Sequence, residues 1–300
     1  MEKKIAVVIV TFNGEIWIRK NLNSLLNSTY PIDIIIVDNA STDETVNVIE
    51  EFSSVELIQN KNNLGFGKAN NIGIDSAIKN GADAIFLLNQ DSWIFENTIT
   101  NLAKKLFKNQ DLGIVSPMHY SADETILDSS FSTYYNKNET EIDSNSIRIV
   151  PFVNAAAWLV SKDCFLKVGF FEPVFNHYGE DRNFCDRVHY HKFKIGIVKN
   201  AAICHDRIVK LNSNKILLQS QYLVLIQVIN CNNSIFKSLI LGLKCVFGLP
   251  KFHFKSQGFL KSIYLFYKLK LYFFSLLLDI KTIKQIRFNS KKGINGIFTQ

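Results

Sequence analysis

Acidic residues almost vanish from the last quarter of the chain. From Cys231 to Gln300 there are twelve Lys or Arg and one acid, Asp279. The net charge of +7 therefore conceals a mildly acidic body, with 22 basic and 26 acidic residues before Cys231. A basic tail of this kind calls for an anionic partner confined to the tail. Cysteine is scarce as well. The five present (Cys164, Cys185, Cys204, Cys231 and Cys245) are odd in number and contain no CxxC pair. That pattern excludes a disulfide framework and predicts reduced, buried thiols in a cytosolic protein. A signal sequence is not expected either. Lys3 and Lys4 precede an apolar run, but Ile5 to Val10 is short and ends in Thr11-Phe-Asn-Gly14 without a small-residue cleavage site. It reads as a strand.

The first third alternates two kinds of segment. Lys4–Val10, Ile32–Val37, Val55–Gln59 and Ala84–Leu88 are short apolar runs suited to strands buried on both faces. Between them, Ile16–Leu26, Thr45–Phe52 and Lys68–Lys79 carry helical spacing, and Ser41 to Glu44 has the form of a capping box. Strand and helix alternating through short loops predict βαβ units, hence an α/β fold with a mostly parallel sheet flanked by helices.

Each of these strands ends in polar residues: Thr11 and Asn13, Asp38, Asn60 to Gly67, and Asn89-Gln90-Asp91. Singly they are ordinary turn formers. In a parallel sheet, however, successive carboxyl ends share one side, where such sheets bind ligands. Asp91 admits two readings. It can cap a helix running from Ser92 to Leu106, or it can be a hard oxygen ligand for Mg²⁺ or Mn²⁺ held jointly with substrate phosphates.

Val8-Ile-Val-Thr-Phe-Asn13, Val37-Asp-Asn-Ala-Ser-Thr-Asp43, Asn62-Asn-Leu-Gly-Phe-Gly-Lys-Ala-Asn-Asn71 and Leu87-Leu-Asn-Gln-Asp91, in that order, resemble the inverting family 2 glycosyltransferases of GT-A (Rossmann-like) fold. The nearest subgroup is the rhamnosyltransferase-like enzymes of bacterial surface polysaccharide synthesis, such as O-antigen and capsule. The resemblance covers about the first 210 residues, the size of one domain. It implies a nucleotide-sugar donor, with Asp38 near the base and Asp91 on the metal. Thr11, Asn13, Asn63, Gly65, Lys68, Asn71, Asn89 and Gln90 complete the donor contacts it implies. Many relatives carry an acid where this chain has Asn89, which leaves Asp91 the sole carboxylate of the motif.

Beyond Leu112–Ser116, another strand candidate, His119–Ile149 is polar and long. Such a connection is usually functional or carries strands of its own, here expected as a β-hairpin with a mobile loop. Phe152–Val160 is a strand whose small residues Ala155 to Ala157 permit either tight packing or close approach of a sugar. The resemblance favours the second, with Asn154 and Trp158 lining the donor. Glu180 and Asp181 open a helix bearing Phe184, Cys185 and Val188. Acids there suit the helix dipole, and equally a general base for an acceptor hydroxyl. The family's acidic motif makes Asp181 the base and Glu180 its neighbour. His189 and His191 diverge on a helix and read as surface residues. Ile195–Val198 is the last strand. The resemblance makes His205, which follows it, a second metal ligand.

A helical, basic extension is expected over residues 212–300, after a catalytic domain of residues 1–211. Ile216–Ile229, Ile235–Phe247 and Phe259–Ile280 are apolar with helical spacing. Lys261, Lys268, Ser275 and Thr282 recur every seven residues. A lysine at mid-bilayer would cost about 2.5–3.5 kcal/mol, so a spanning helix is disfavoured. An in-plane amphipathic helix fits better, each lysine near anionic lipid adding about 1 kcal/mol. The competing reading is a helical hairpin that dimerises. No nucleic-acid motif is present. Together these features predict a peripheral protein of the cytoplasmic face of the inner membrane that moves a sugar from dTDP-rhamnose or a UDP-hexose to a lipid-linked glycan. Two rivals stand beside it. A nucleotidyltransferase would need a basic phosphate loop, and Thr11-Phe-Asn-Gly14 has no Lys or Arg. A catalytically inactive, membrane-attached assembly factor would not need Glu180, Asp181 and His205.

Overall fold

The computed structural model describes residues 3–135, 147–207 and 212–296. In the first third, β1 (Ile5–Thr11), α1 (Glu15–Leu26), β2 (Ile32–Asp38), α2 (Thr45–Glu50), β3 (Val55–Gln59), α3 (Phe66–Lys79) and β4 (Ala84–Asn89) alternate as expected. There follow β5 (Ser92–Ile94), α4 (Thr98–Lys108), β6 (Leu112–Ser121), α5 (Ser129–Tyr135), β7 (Ile147–Ile149), β8 (Ala157–Ser161), α6 (Lys162–Val168), α7 (Glu180–Tyr190) and β9 (Lys194–His205). Four helices close the chain: α8 (Ser213–Ile229), α9 (Ile235–Gln257), α10 (Phe259–Leu278) and α11 (Ile280–Lys292).

The described strands form one nine-stranded sheet in the order β3-β2-β1-β4-β8-β6-β9-β5, with β7 also on β9. Its first half is parallel: β2 and β4 flank β1, and β3 flanks β2. β8 then joins β4 antiparallel, whereas β6 and β9 run parallel to each other. β1, β2 and β4 are largely apolar because helices cover both faces, whereas the edge strand β3 keeps Glu56 and Gln59 exposed. α3 packs on β1 and β2, and α1 lies against β5.

Two departures from the expected elements matter. Ser92 begins a three-residue strand, not a helix, and α4 starts only at Thr98. Asp91 therefore caps nothing; it sits in the turn between two strands. In the segment after His119 the structure has a helix, α5, with an isolated bridge between Tyr120 and Leu127 and the short strand β7. The rest of the expected hairpin and mobile loop, residues 136–146, lies outside the described residues. So does the domain boundary expected after residue 211. In the extension, helix breaks at Asp279, so Thr282 belongs to α11 and the seven-residue stripe ends at Ser275. Among the described residues no helix is long and apolar enough to cross a membrane.

α8 joins the two parts. Its buried side carries Val224, Leu225, Val228 and Ile229 into a core shared with α9, α10, α11 and Phe175. Arg287 of α11 ties the joint by donating to the Val228 carbonyl at 3.2 Å and the Asn233 carbonyl at 2.6 Å. After α11 the chain returns to the first part, where the Phe170 amide donates to the Asn295 carbonyl at 2.7 Å.

Candidate active site

The carboxyl ends of β1, β2 and β4 and the turn after β4 open on a cavity of about 450 Å³, lined in part by Phe12, Asn39, Asn63, Gly65, Asp91 and His177. The loops hold their shape through side chains that bond to backbone. Asp38, buried at the end of β2, accepts from the Thr11 hydroxyl at 2.9 Å and from the Ser41 amide at 3.0 Å. Asn13, at φ +48°, accepts from the Thr42 amide at 2.9 Å. Asn39 presents its oxygen to the Leu64 amide at 2.9 Å and donates to Asn63, which in turn accepts from the Gly65 amide. Gly65 is required where it is: φ is +84°, and a Cβ there would lie 2.1 Å from the Asn176 carbonyl oxygen. Gln90 brackets Phe12, accepting from its amide at 2.9 Å and donating to its carbonyl at 3.2 Å.

Asp91 meets His205 because β5 and β9 pair antiparallel with Ser92 opposite His205. The Asp206 amide adds a 2.8 Å bond to the Asp91 carbonyl. From α1, buried Asn21 donates to the carbonyls of Asn89 and Ser92 at 3.0 and 2.7 Å, pinning both sides of the turn. Trp17 Nε1 donates to Asp206 at 2.9 Å. The result sets His205 Nε2 3.2 Å from Asp91 Oδ1, with the imidazole buried and Asp91 partly open to the cavity. His205 Nδ1 has no hydrogen-bond partner; the nearest carboxylate oxygen, from buried Asp128, is 3.9 Å away. Asn89 Oδ1 is also buried and unpartnered. One oxygen and one imidazole donor facing each other suit a divalent ion. Among the described residues no group of three His, Cys, Asp or Glu could hold one unaided, so diphosphate and water would fill the remaining positions, as is usual for Mg²⁺ and Mn²⁺.

Beyond His177 the chain turns through Tyr178 (φ +72°) and Gly179 (φ +91°) into α7. There a second cavity of about 290 Å³ is lined by Glu180 and Asp181 and, from α8, by Gln219 and Tyr222. Burial pushes the Glu180 carboxyl up to about 8, and the neighbouring Asp181 charge pushes in the same direction. Glu180 Oε2 has no partner, consistent with a group that keeps its proton. Burial raises Asp181 too, offset by the Arg182 amide, which donates to it at 2.7 Å. Because the Asp181 charge is what raises Glu180 further, Asp181 gives up its proton before Glu180 does. Partial desolvation at the cavity wall, and then Lys215, lower His177 from the ordinary histidine value.

The expected donor contacts divide accordingly. Asn63, Gly65, Asn89, Gln90 and Asp91 line the first cavity; Thr11, Asn13 and Asp38 lie behind it, spent on loop geometry. Two expectations need correcting. Trp158 is fully buried, stacked between Phe171 and Phe184, because the alternation of β8 turns it toward the core. Asn71 exchanges two 2.9 Å bonds with the backbone of Phe171 and serves as a bracket between α3 and the segment before α7. Lys68 lines a separate cavity with Asn71, Glu172 and Asn295. Asn154, partly buried, precedes β8. Sequence reasoning missed Asn39, His177, Asn21 and Asp128. Asn39 had a signal, since it follows Asp38 at a strand end; buried Asn21 and Asp128 had none.

With this geometry in view, the comparisons with known proteins are informative. The dTDP-rhamnosyl transferase RfbF of Shigella flexneri is 28% identical over 229 residues, 70% of this chain and 73% of that protein. Two Streptococcus pneumoniae glycosyltransferases also match, but this chain spans only 18% and 65% of their lengths. Among solved structures, TarS 1–349 of S. aureus in complex with UDP-GlcNAc superimposes with a TM-score of 0.64 at 14% identity, covering 96% of this chain and 89% of that one. A mannosyltransferase from Pyrobaculum calidifontis in complex with GDP-Man and Mn²⁺ gives 0.61 at 13% identity, covering 97% and 86%. These likenesses establish the GT-A fold. The profile of Glycosyl transferase family 2 matches residues 6–169, more than half of the sequence, and the chain belongs to that family.

Proposed function

We propose that the protein is an inverting glycosyltransferase that moves a sugar from a uridine or thymidine diphosphosugar to a hydroxyl of a lipid-linked glycan during surface polysaccharide synthesis. The observation that carries this reading is the adjacency of two unlike cavities. One ends at Asp91 and His205; the next along the chain, across Tyr178 and Gly179, is lined by the neighbouring carboxyls of Glu180 and Asp181. The donor nucleotide lies over the loops after β1, β2 and β3, with Phe12 exposed for stacking and Asn39 and Asn63 fixing the loop edge. Asp91 and His205 would hold a divalent ion, whose contribution there would be to neutralise charge on the diphosphate.

Asp181 accepts the proton of the acceptor hydroxyl as that oxygen bonds to the anomeric carbon. The bond from that carbon to the diphosphate oxygen breaks, and its electron pair leaves with the nucleoside diphosphate. Attack from the face opposite the leaving group inverts the centre. Glu180, whose carboxyl burial pushes up to about 8, holds its proton longer than Asp181, which is therefore the better placed of the two to act as base. The subgroup resemblance and the naming of RfbF support thymidine diphosphorhamnose as the donor, and the fold shared with a UDP-GlcNAc complex supports UDP-hexoses. The experiment is sugar transfer by Asp181→Asn with donor binding measured alongside. Lost transfer with intact binding is expected; retained transfer would overturn the role of Asp181.

A further inference from the structure

The hairpin of α9 and α10 is covered on one side only. Its inner face packs on α8 through Val246, Leu265, Leu269 and Phe273. Outward, α9 exposes Phe236, Ile240, Leu243 and Phe247, and α10 exposes Leu260, Ile263, Tyr267, Leu271, Phe274 and Leu278. Both sets recur at three- and four-residue steps, so each forms one continuous stripe. Beside the first stripe, Lys237, Lys244 and Lys251 fall every seven residues; beside the second stand Lys261, Lys268 and Lys270. From Ile235 to Leu278 there are seven lysines and no acid. At the tip, Phe252 and Leu260 are 77% and 80% exposed. Between the helices at this end, Phe254, Phe259 and Phe266 line an apolar groove of about 480 Å³ with Lys251 and Lys255 on its rim.

We propose that the outer face of this hairpin docks on an anionic lipid surface. The tip aromatics enter the headgroup layer, and the groove takes an acyl chain of a phospholipid whose phosphate meets Lys251 or Lys255. Charge decides between this occupant and a second copy of the chain. Self-pairing would set lysine stripe against lysine stripe with no acid to relieve the repulsion, whereas acidic headgroups satisfy every one. Since no described helix can span, the attachment lies in the plane of the surface. α8 packs on the hairpin and on α11, and its Gln219 and Tyr222 line the cavity of Asp181. That cavity is thereby held close to the surface from which a lipid-linked hydroxyl would come. The docking itself rests on the hairpin's chemistry and not on the proposed reaction.

The test is co-sedimentation of the full chain with phosphatidylcholine vesicles, with and without about 30% phosphatidylglycerol, at low and high salt. Binding is expected to the anionic vesicles, at least about tenfold weaker to neutral ones, and to decline with salt. Lys251→Glu with Lys255→Glu and Lys261→Glu should weaken binding about a hundredfold or more. Phe252→Ser with Leu260→Ser should weaken it about tenfold while the salt dependence persists. No binding by the wild type, equal binding to both vesicles, or a soluble dimer abolished by the same substitutions would overturn the proposal. A nucleotide-sugar thermal-shift titration on the same samples keeps the two ideas apart. Vesicle binding without donor binding would sink the proposed function and leave the docking surface standing.

Discussion

The loops at the strand ends and the terminal hairpin solve the problem of holding a surface in opposite ways. At the strand ends nearly every exposed turn is fixed by a directional bond: Asp38 to Ser41, Asn39 to Leu64, Gln90 to Phe12, Asn21 to Asn89 and Ser92. On the hairpin few such bonds exist between side chains; Ser262 bonds to its own helix at Gly258, and the contacts between helices are apolar. Directional bonds select one geometry and lose much when an atom is removed. Apolar contact is tolerant of shape, so a surface built from it adapts to a soft partner. One region is suited to chemistry, where position matters to a fraction of an ångström; the other to adhesion.

Perturbation should separate the two. The largest effect is expected from Asp181→Asn, which should lower turnover by about 10²–10⁴ with the melting temperature and donor affinity scarcely moved, as read by initial rates and a thermal-shift titration. Next comes Gly65→Ala. With a Cβ 2.1 Å from a backbone oxygen the loop must move, and donor affinity should fall steeply while the helical hairpin stays folded, which hydrogen exchange would report. Asn21→Ala strips two buried carbonyls of their donor and should cost about 2–3 kcal/mol in urea unfolding.

The pH prediction concerns Glu180, whose folded carboxyl is raised from 4.5 to about 8. Between those values the unfolded chain has lost a proton that the folded one retains, so this group makes stability fall as pH rises. Glu180→Gln should remove that slope, and its advantage over wild type should grow from pH 5 to pH 8. An advantage that shrinks over that range would contradict the protonated assignment. The smallest effect belongs to the hairpin: Phe252→Ser should change unfolding stability by about 0.5 kcal/mol or less. A loss as large as that of Asn21→Ala would mean that the tip is part of the fold's core and would erase the contrast.

Much of this was legible before any coordinates, and the reasons are local. β1 to β4 announce themselves because a strand buried on both faces must be apolar throughout, and their polar ends follow from parallel pairing. β5 was read as the start of a helix because Ser92-Trp93-Ile94 is a strand only by virtue of Cys204 and Ile203 across the sheet. Nothing within three residues encodes a partner so distant. Trp158 was placed in the donor site on the strength of its small neighbours, although strand alternation alone decides which way it points. Asn71 has the side chain of a ligand contact and the task of a bracket, a difference that depends on the Phe171 backbone arriving beside it. The acidic pair is easier: two acids opening a helix after a glycine leave a mark in the sequence whether or not they are buried.

The pairing of β5 with β9 also bears on how the molecule is assembled. Asp91 leaves the ribosome long before His205, and until the final strand arrives the turn that carries it rests on α1 through Asn21 and on the end of β1 through Gln90. The nucleotide-facing half of the sheet can therefore form early and wait, while the histidine joins only once β9 has added to the edge beside β6. A nascent chain halted before that strand would present the loops after β1, β2 and β4 without the histidine that faces Asp91.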